Sequence, residues 1–525
     1  MFMPRNGFGT FGRLRIAVVI VTGLVICFWA VRSPFAQNHS DEMVLHENST
    51  LFGESAFRSE SAFRSGSAFH GGSITHGELI SRSKMVTIGK LDSSGESVSS
   101  GDLVSGLSSE DSEAVGHIKE HGIFVSDPGD LDPLIQRASE RTLVLLGEAS
   151  HGTSEYYTWR SKISRRLIEE HGFDFVIVEA DWTLAYPVNL HVKHLDVNPV
   201  DSRGALASFQ RWPRWMWGNE EVLELITWMH EHNRNLPLEQ RSGFYGLDIY
   251  AYNEGIEDVV SFLEDVDSDA ALTARRYYSC FDRHPDAQSY LQMVHRSREH
   301  CGEDLEAIYG LMAENREAYE SADSIGFVGA YQSARMVIFA ERHLRGNLQR
   351  GPQSWNHRVE HFFDAASGML ERYGDGARGI VWAHNTHIGD ARATDMGNAG
   401  MNNIGQIARE ELGDEEVYAI GFGTGKGEVL AGRRWEGEME RMTVPQAASG
   451  SYEDLMLQSG ISPLLLLFDD PDEHMPLMEP RGNRAIGVVY QPEQDAVQNY
   501  VNTVMPKRYN AFLFFEETKA LTPLE

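Results

Sequence analysis

Five short apolar runs, separated by longer stretches of helical pattern, constrain the fold of this chain more than any other feature. The runs carry no charged residue and are four to six residues long, which is typical of buried strands. Strands that alternate with helices predict an α/β fold with a central, mainly parallel sheet flanked by helices. The five runs span residues 143–146, 175–178, 243–247, 379–383 and 417–422.

Polar or ionisable side chains follow each of the five runs directly. In an open α/β sheet, ligands bind beyond the carboxyl ends of the strands, so we expect these side chains to share one cleft. Each residue alone also has a structural interpretation, because a glutamate at a strand end can cap the next helix and a single histidine is often a hydrogen-bonded bystander. The residues expected in the cleft are Glu148 and His151, then Glu179, Asp248, His384 and His387, with Gly423 and Thr424 after the fifth run.

His151 is the candidate general base. It lies in the glycine-containing turn GEASHG, just before a helix predicted from about Ser154 to Glu170. The positive end of that helix favours a neutral imidazole, which is the form that accepts a proton. Glu148 is placed to orient the other ring nitrogen and to stabilise the imidazolium that forms.

Arg160 follows nine residues after His151, on the opposite side of the predicted helix. Its long side chain can reach across to hold Glu148 or Glu179, or to stabilise a developing oxyanion. The alternative is a surface ion pair with Glu155 or Glu169.

His384 and His387 are three residues apart and face the same direction if their loop makes a helical turn. This spacing suits either transition-state stabilisation or metal ligation. A divalent metal, if present, would take Glu148, His151, Glu179 and His384, an oxygen and nitrogen set acceptable to zinc or manganese. No HExxH run and no other diagnostic ligand spacing supports a metal, so we expect no cofactor.

Several other site classes are disfavoured by the sequence. No GxSxG elbow is present for a serine nucleophile, GEASHG lacks the second glycine of a dinucleotide-binding turn, and there is no P-loop. The 46 basic and 77 acidic residues give a net charge of −31, which repels phosphate backbones and argues against nucleic acid as a partner. Only three cysteines occur; Cys280 and Cys301 allow a disulfide, but two buried thiols are favoured.

The N-terminal part of the chain reads as a targeting segment followed by a linker. Arginines precede an uncharged run at residues 16–31, and the first acidic residue comes only at Asp41. We expect residues 1–32 to be a signal anchor or a signal peptide, with an uncleaved membrane anchor favoured, which places the remainder outside the cytoplasm. Residues 33–125 are expected to be a disordered low-complexity tether, in which a six-residue unit recurs at Ser55, Ser61 and Ser67.

The sequence motifs at the ends of the predicted strands, taken in chain order, resemble those of the erythromycin esterase family. The resemblance covers roughly residues 143–455 and rests on LLGEASHGTSEYY, FVIVEADW, FYGLDIY, VWAHNTHIGDARATDMG and GFGTGKGEVLAG. It implies an α/β core at residues 126–525 with an inserted helical subdomain at about 252–375. It also implies that His151 is the general base for water, that Glu148, Arg160, Glu179 and His384 support it, and that His387 is a further cleft histidine.

The resemblance implies a hydrolase that cleaves an ester or a macrolide lactone with water activated by His151. The small-molecule substrate is expected to contact Asp248, Trp182, Asn385 and Trp215, the last from the segment RWPRWMWGN, whose tryptophans suit a sugar or macrolide ring or simply pack the fold. Two alternatives remain open: a metal-dependent hydrolase with the same cluster, and a non-catalytic, membrane-anchored protein that binds a polysaccharide or a partner.

Overall fold

The computed structural model describes residues 108–284 and 286–524, which form an α/β fold with a mixed, mostly parallel sheet and many helices. The helices of eight residues or more are α1 Ser109–His121, α2 Ser154–His171, α3 Trp182–Val192, α4 Glu220–Asn233, α5 Tyr252–Val266, α6 Ser268–Asp282, α7 Ala287–Ser297, α8 Gly302–Glu314, α9 Arg316–Gly346, α10 Gln353–Tyr373, α11 Ile404–Leu412 and α12 Tyr452–Ser459. Shorter helices are Asp132–Ala138, Ser202–Leu206, Asn385–Ile388, Asp395–Asn398, Asp495–Gln498 and Met505–Arg508. The strands are β1 Ile123–Phe124, β2 Leu143–Leu146, β3 Phe175–Asp181, β4 Gly243–Asp248, β5 Gly379–Trp382, β6 Val417–Gly432, β7 Met439–Val444, β8 Leu464–Leu467, β9 Arg481–Arg484, β10 Tyr500–Thr503 and β11 Ala511–Thr518.

The five predicted strands lie side by side in the sheet, with β4 at one edge. Within the described residues the main sheet has nine strands in the order β1-β8-β11-β6-β2-β5-β3-β4, and β7 pairs with β6. The pairs from β11 through β6, β2, β5 and β3 to β4 are parallel, whereas β8 pairs antiparallel with both β1 and β11. The carboxyl ends of β2, β5, β3 and β4 are therefore neighbours along one edge.

Helices cover both faces of this sheet. Alternate residues of each central strand point to opposite faces and therefore belong to different apolar cores. Leu143 and Leu145 of β2 belong to one core, and Val144 and Leu146 belong to the other. Every residue of β2 and β3 is buried, as expected for parallel strands covered on both sides.

Six consecutive helices, α5 to α10, connect β4 to β5 and occupy the stretch predicted to be helical near residues 252–375. Val259, Val260 and Leu263 of α5 are buried and Ile256 packs against the same core, as their helical spacing predicted. Within this stretch Cys280 and Cys301 form a disulfide with their Cα atoms 5.8 Å apart, so the expectation of two thiols was wrong.

The predicted linker ends earlier than expected. Residues 109–121 form α1, which buries Ala114, Val115 and Ile118, so this part of the stretch assigned to residues 33–125 is folded. The predicted anchor at residues 16–31 and the repeats at Ser55, Ser61 and Ser67 lie outside the described residues. None of the helices in residues 108–284 and 286–524 is both long and apolar enough to span a membrane.

Candidate functional site

The turn after β2 holds a buried chain of three polar side chains. Glu148 is fully buried; its Oε1 accepts a hydrogen bond from His151 Nδ1 at 2.8 Å, and its Oε2 accepts from Arg160 Nη2 at 2.7 Å. The tight turn requires Gly152, because a Cβ there would collide with the Leu430 carbonyl of β6. With Nδ1 donating to Glu148, the neutral imidazole leaves Nε2 as its basic atom.

Arg160 is on the buried face of α2 and is not exposed at all. Its guanidinium stacks over Tyr157 and Trp382 at 4.3 and 4.6 Å. Of the alternatives raised by the sequence, the structure shows the pair with Glu148, not a surface pair with Glu155 or Glu169. Arg160 is not among the residues that line the cavity described below, so the structure places it behind Glu148.

Glu179, at the end of β3, links four elements. Its Oε2 accepts from the backbone N–H of His384 at 2.8 Å, and its Oε1 lies 2.9 Å from Arg358 Nη2 and 3.3 Å from His387 Nε2. Burial alone raises the pKa of this carboxyl, but His387, His151 and Arg358 outweigh burial and hold the pKa well below its usual range. Glu179 is therefore an anion at neutral pH.

Arg358 of α10 was not predicted as a site residue. Its Nε and Nη2 bind both oxygens of Asp248 at 2.8 and 2.6 Å, so one cation compensates two buried carboxylates, those of Asp248 and Glu179. The available signal was its position on the apolar stripe of a helix, one turn before Phe362, where a charged side chain needs a buried partner.

His384 and His387 are brought together with this network by the short helix Asn385–Ile388. The His384 ring lies 4.9 Å from the ring of His151, and burial, followed by the charge of His151, lowers its pKa well below the usual value. Its Nδ1 lies 2.8 Å from Thr386 Oγ1 and accepts from the Thr386 backbone N–H at 3.3 Å, so the neutral ring carries its proton on Nε2. This Nε2 has no hydrogen bond of good geometry in the described chain, although the Ala149 backbone interacts with the ring and raises its pKa. His387 stacks on Trp355 with ring centroids 4.5 Å apart, and burial lowers its pKa.

The protonation of His151 differs from the prediction. Burial lowers its pKa and is the largest single influence, but the hydrogen bond that His151 donates to Glu148 and the charges of Glu179 and Glu148 together outweigh burial and raise the pKa above 6.5. The helix end was expected to favour the neutral ring, but the two buried carboxylates, Glu148 and Glu179, favour the protonated ring. We therefore expect the base to need a pH above 6.5 to become neutral.

A cavity of about 660 Å³ opens at this edge of the sheet. Of the predicted residues, it is lined by His151, Glu179, Asp248, His384 and His387. Arg358 and Asp181 line it too. Burial raises the pKa of Asp181 to about 6, although Arg211 opposes the shift, so this carboxyl titrates close to neutrality.

Three residues predicted to contact substrate lie outside this cavity lining. Trp182 donates to the Gly329 carbonyl and stacks on Tyr245, so it packs β3 against the helical stretch. Asn385 exchanges two hydrogen bonds with the backbone of Phe422 and ties the β5 exit to β6. Trp215 is buried in the core, whereas Trp212 and Trp217 of the same segment line the cavity.

A divalent cation is a poor match for the acid and imidazole cluster. Glu148, His151 and Glu179 offer ligand atoms within 4.8 Å of one another. However, protein donors already occupy both oxygens of Glu148 and both oxygens of Glu179, and Arg358 sits beside the latter. A cation would have to displace these donors and lie next to a guanidinium, so the donor set fits an ion-pair network better.

Fold and site together define an α/β protein with acid–base groups at the carboxyl edge of its sheet. The chain belongs to the erythromycin esterase family, whose sequence model matches residues 168–518. The match begins later than the resemblance near residue 143 suggested, and it extends further towards the C-terminus. Membership of this family indicates a hydrolase of the esterase type.

Solved structures share this fold. A succinoglycan biosynthesis protein is 20% identical with a TM-score of 0.65, covering 80% of this chain and 100% of that chain. A Bacillus cereus protein is 18% identical with a TM-score of 0.66, covering 79% and 99% respectively. A mutant of the erythromycin esterase EreC in its open conformation is 14% identical with a TM-score of 0.55, covering 75% and 94%. At these identities the likeness concerns the fold alone.

Proposed function

We propose that this protein is a metal-independent esterase that hydrolyses an ester or a lactone with water activated by His151. The observation that carries the proposal is the buried Glu148–His151 pair. Glu148 binds Nδ1 of the imidazole, which leaves Nε2 for a substrate, and both His151 and His384 line the cavity. A base held by a carboxylate on one nitrogen and free on the other is the arrangement that general-base catalysis requires.

In this mechanism His151 Nε2 removes a proton from water while the water oxygen bonds to the acyl carbon. The negative charge that develops on the acyl oxygen is stabilised by the Nε2–H of His384. The bond from the acyl carbon to the alkoxy oxygen then breaks, and the imidazolium returns its proton to the leaving alkoxide. Glu148 stabilises that imidazolium, and Arg160 acts as a positioning residue that holds Glu148.

Replacement of the base tests the proposal. We expect His151→Ala to lower kcat on an ester or lactone substrate by about 10²–10⁴-fold. His295→Ala is the matched control, because His295 is exposed near the end of α7 and is not one of the residues that line the cavity. Turnover by His151→Ala close to that of the control would overturn the assignment.

A metal-dependent hydrolase is the second candidate, favoured by the close approach of Glu148, His151 and Glu179. Chelation followed by addition of zinc or manganese separates the two. We expect turnover to be unchanged by both steps, whereas loss on chelation and recovery with metal would replace our proposal with the metalloenzyme.

We further propose that the folded domain works outside the cytoplasm and is held at the membrane by residues 16–31. The Cys280–Cys301 disulfide supports this location, because such bonds persist in oxidising compartments. Cell fractionation followed by protease treatment of intact cells tests it, and a protease-protected soluble protein in the cytoplasm would refute it.

A further inference from the structure

Three aromatic rings form a continuous wall of the cavity. Trp212 and Trp435 are 4.7 Å apart, and Trp435 is followed by Tyr250 at 6.4 Å. All three are only half-buried although they line the cavity, unlike the buried Trp215 and Trp217. Trp212 is fixed by a hydrogen bond from its Nε1 to the Gly437 carbonyl. Trp212 is therefore anchored, and all three rings keep part of their surface uncovered.

His343 of α9 adds a hydrogen-bond acceptor at the end of this wall, with its ring 5.7 Å from that of Tyr250. Its Nδ1 lies 2.9 Å from the Ser354 carbonyl, which can only accept, so Nδ1 carries the proton. Burial lowers the pKa of this histidine to about 4, so the ring is neutral and Nε2 holds a free lone pair. Nε2 is buried and has no partner in the described chain, although His343 lines the cavity.

A buried acceptor without a partner is costly unless a ligand supplies the donor. The ligand that fits this wall combines an apolar face with hydroxyl donors at its rim. The rings are inclined to one another by about 60° at both contacts, so they form a curved surface, not the parallel plates that would sandwich a flat aromatic group. Two arginines that line the cavity are already paired, Arg211 with Asp181 and Arg358 with Glu179 and Asp248. Neither of these two cations calls for a charge on the ligand.

The wall adjoins the reacting groups through Arg358. This guanidinium lies 5.1 Å from the centre of the Tyr250 ring and donates to Glu179, whose carboxylate is within 4.8 Å of the ligand atoms of His151. A ring seated on the wall thus leaves a substituent free to reach the base.

We propose that Trp212, Trp435 and Tyr250 hold the sugar ring of an O-acylated saccharide, with one sugar hydroxyl donating to His343 Nε2. This assignment rests on the proposed esterase and names its substrate class. The sugar's C–H face covers the indole rings, and its acyl group projects towards His151.

Hydrolysis and binding are measured in separate assays, so that failure of the proposed esterase can be distinguished from failure of the proposed sugar subsite. The probes are acetylated methyl glucoside and acetylated xylo-oligosaccharides, with ethyl acetate as the sugarless ester and a macrocyclic lactone without sugars as the rival class. kcat/KM is determined with the full chain, and binding is determined by calorimetry with His151→Ala, which does not consume the ligand.

We expect the acetylated sugars to bind and to be hydrolysed with a kcat/KM at least tenfold above that of ethyl acetate. His343→Phe and Trp435→Ala should each weaken sugar binding about tenfold, equivalent to about 1.4 kcal/mol. His343→Gln keeps an acceptor and should restore part of the affinity. Trp228→Ala is the control, because Trp228 stacks on His232 outside the cavity lining and should bind like the parent.

Each outcome decides the assignment. Sugar binding without hydrolysis by the full chain would support the sugar subsite and overturn the esterase. Hydrolysis of ethyl acetate or of the lactone without any sugar binding would overturn the sugar subsite and leave the esterase standing. Sugar binding that is unaffected by both His343→Phe and Trp435→Ala would also overturn the subsite. His343→Gln shows whether a loss in His343→Phe comes from the missing acceptor or from misfolding, because glutamine keeps an acceptor.

Discussion

Replacing Arg358 by methionine is expected to destabilise the protein by about 3–5 kcal/mol at pH 7, because two buried carboxylates lose their shared cation. Arg358 Nη2 lies 2.6 Å from Asp248 and 2.9 Å from Glu179. At an effective dielectric constant of about 20, each such contact is worth roughly 6 kcal/mol of Coulomb attraction. The arginine no longer has to be desolvated in the variant, which returns several kcal/mol, and water or a proton partly replaces the lost cation at the two carboxylates. Together these effects offset most of the sum of about 12 kcal/mol and leave the smaller expected loss.

The loss should depend on pH. In the parent, the pKa of Glu179 is held well below its usual value, so its stabilising contribution is complete above about pH 4.5 and is lost as the pH falls towards the folded pKa. In Arg358→Met that pKa rises, and the carboxyl gains a proton during acidification instead of remaining a buried, uncompensated anion. The difference between variant and parent therefore shrinks between pH 7 and pH 5.

Denaturant titration at both pH values measures this effect. Arg342→Met is the matched control, since Arg342 pairs with Glu306 at the surface of the same helical stretch and should cost at most about 1 kcal/mol. A loss for Arg358→Met no larger than that of the control, or equal losses at pH 7 and pH 5, would refute the charge argument.

The remaining predictions concern the base, the oxyanion donor and the disulfide. kcat/KM should rise with pH to a plateau with a midpoint above 6.5, because Glu148 and Glu179 together outweigh burial and raise the pKa of His151. Glu148→Gln should move this midpoint to lower pH, and an unchanged pH–rate profile would contradict the assignment. His384→Ala should lower kcat about 10²–10³-fold with little change in KM, as single-turnover and steady-state assays can check. Reduction of the Cys280–Cys301 bond, which closes a 21-residue separation, should lower the free energy of unfolding by about 3 kcal/mol, and an unchanged denaturation midpoint under reductant would argue against the bond.

The sheet was predictable because its signal is local. Buried parallel strands must be short, apolar and interleaved with helices, and all five predicted runs became strands. The strands beyond residue 430 were not predicted; β11 pairs parallel with β6 and antiparallel with β8, and that arrangement depends on contacts distant in sequence. Helix α1 was not predicted, because only three of its residues are buried and they are too few to show a sustained apolar periodicity. These residues are Ala114, Val115 and Ile118.

The site was predictable where strand ends supply it and not where other elements do. Glu148, His151 and His384 follow strands, and Glu179 and Asp248 lie near the carboxyl ends of β3 and β4, so the sheet alone brings them together. Arg358 and His343 come from helices whose docking no sequence pattern fixes. The pKa of His151 was mispredicted for a related reason, since the direction depends on Glu179, which reaches the imidazole only after the strands have paired.

Arg358 of α10 is synthesised after both of the carboxylates that it pairs with at the sheet edge. Arg358 neutralises an aspartate that precedes it by 110 positions and a glutamate that precedes it by 179. While the ribosome is still translating the stretch between β4 and α10, Glu179 and Asp248 have been synthesised but their counter-ion has not. The nascent chain must therefore keep these carboxylates hydrated until Arg358 emerges, so we expect this edge of the sheet to close late in synthesis, after the helical stretch has folded against it.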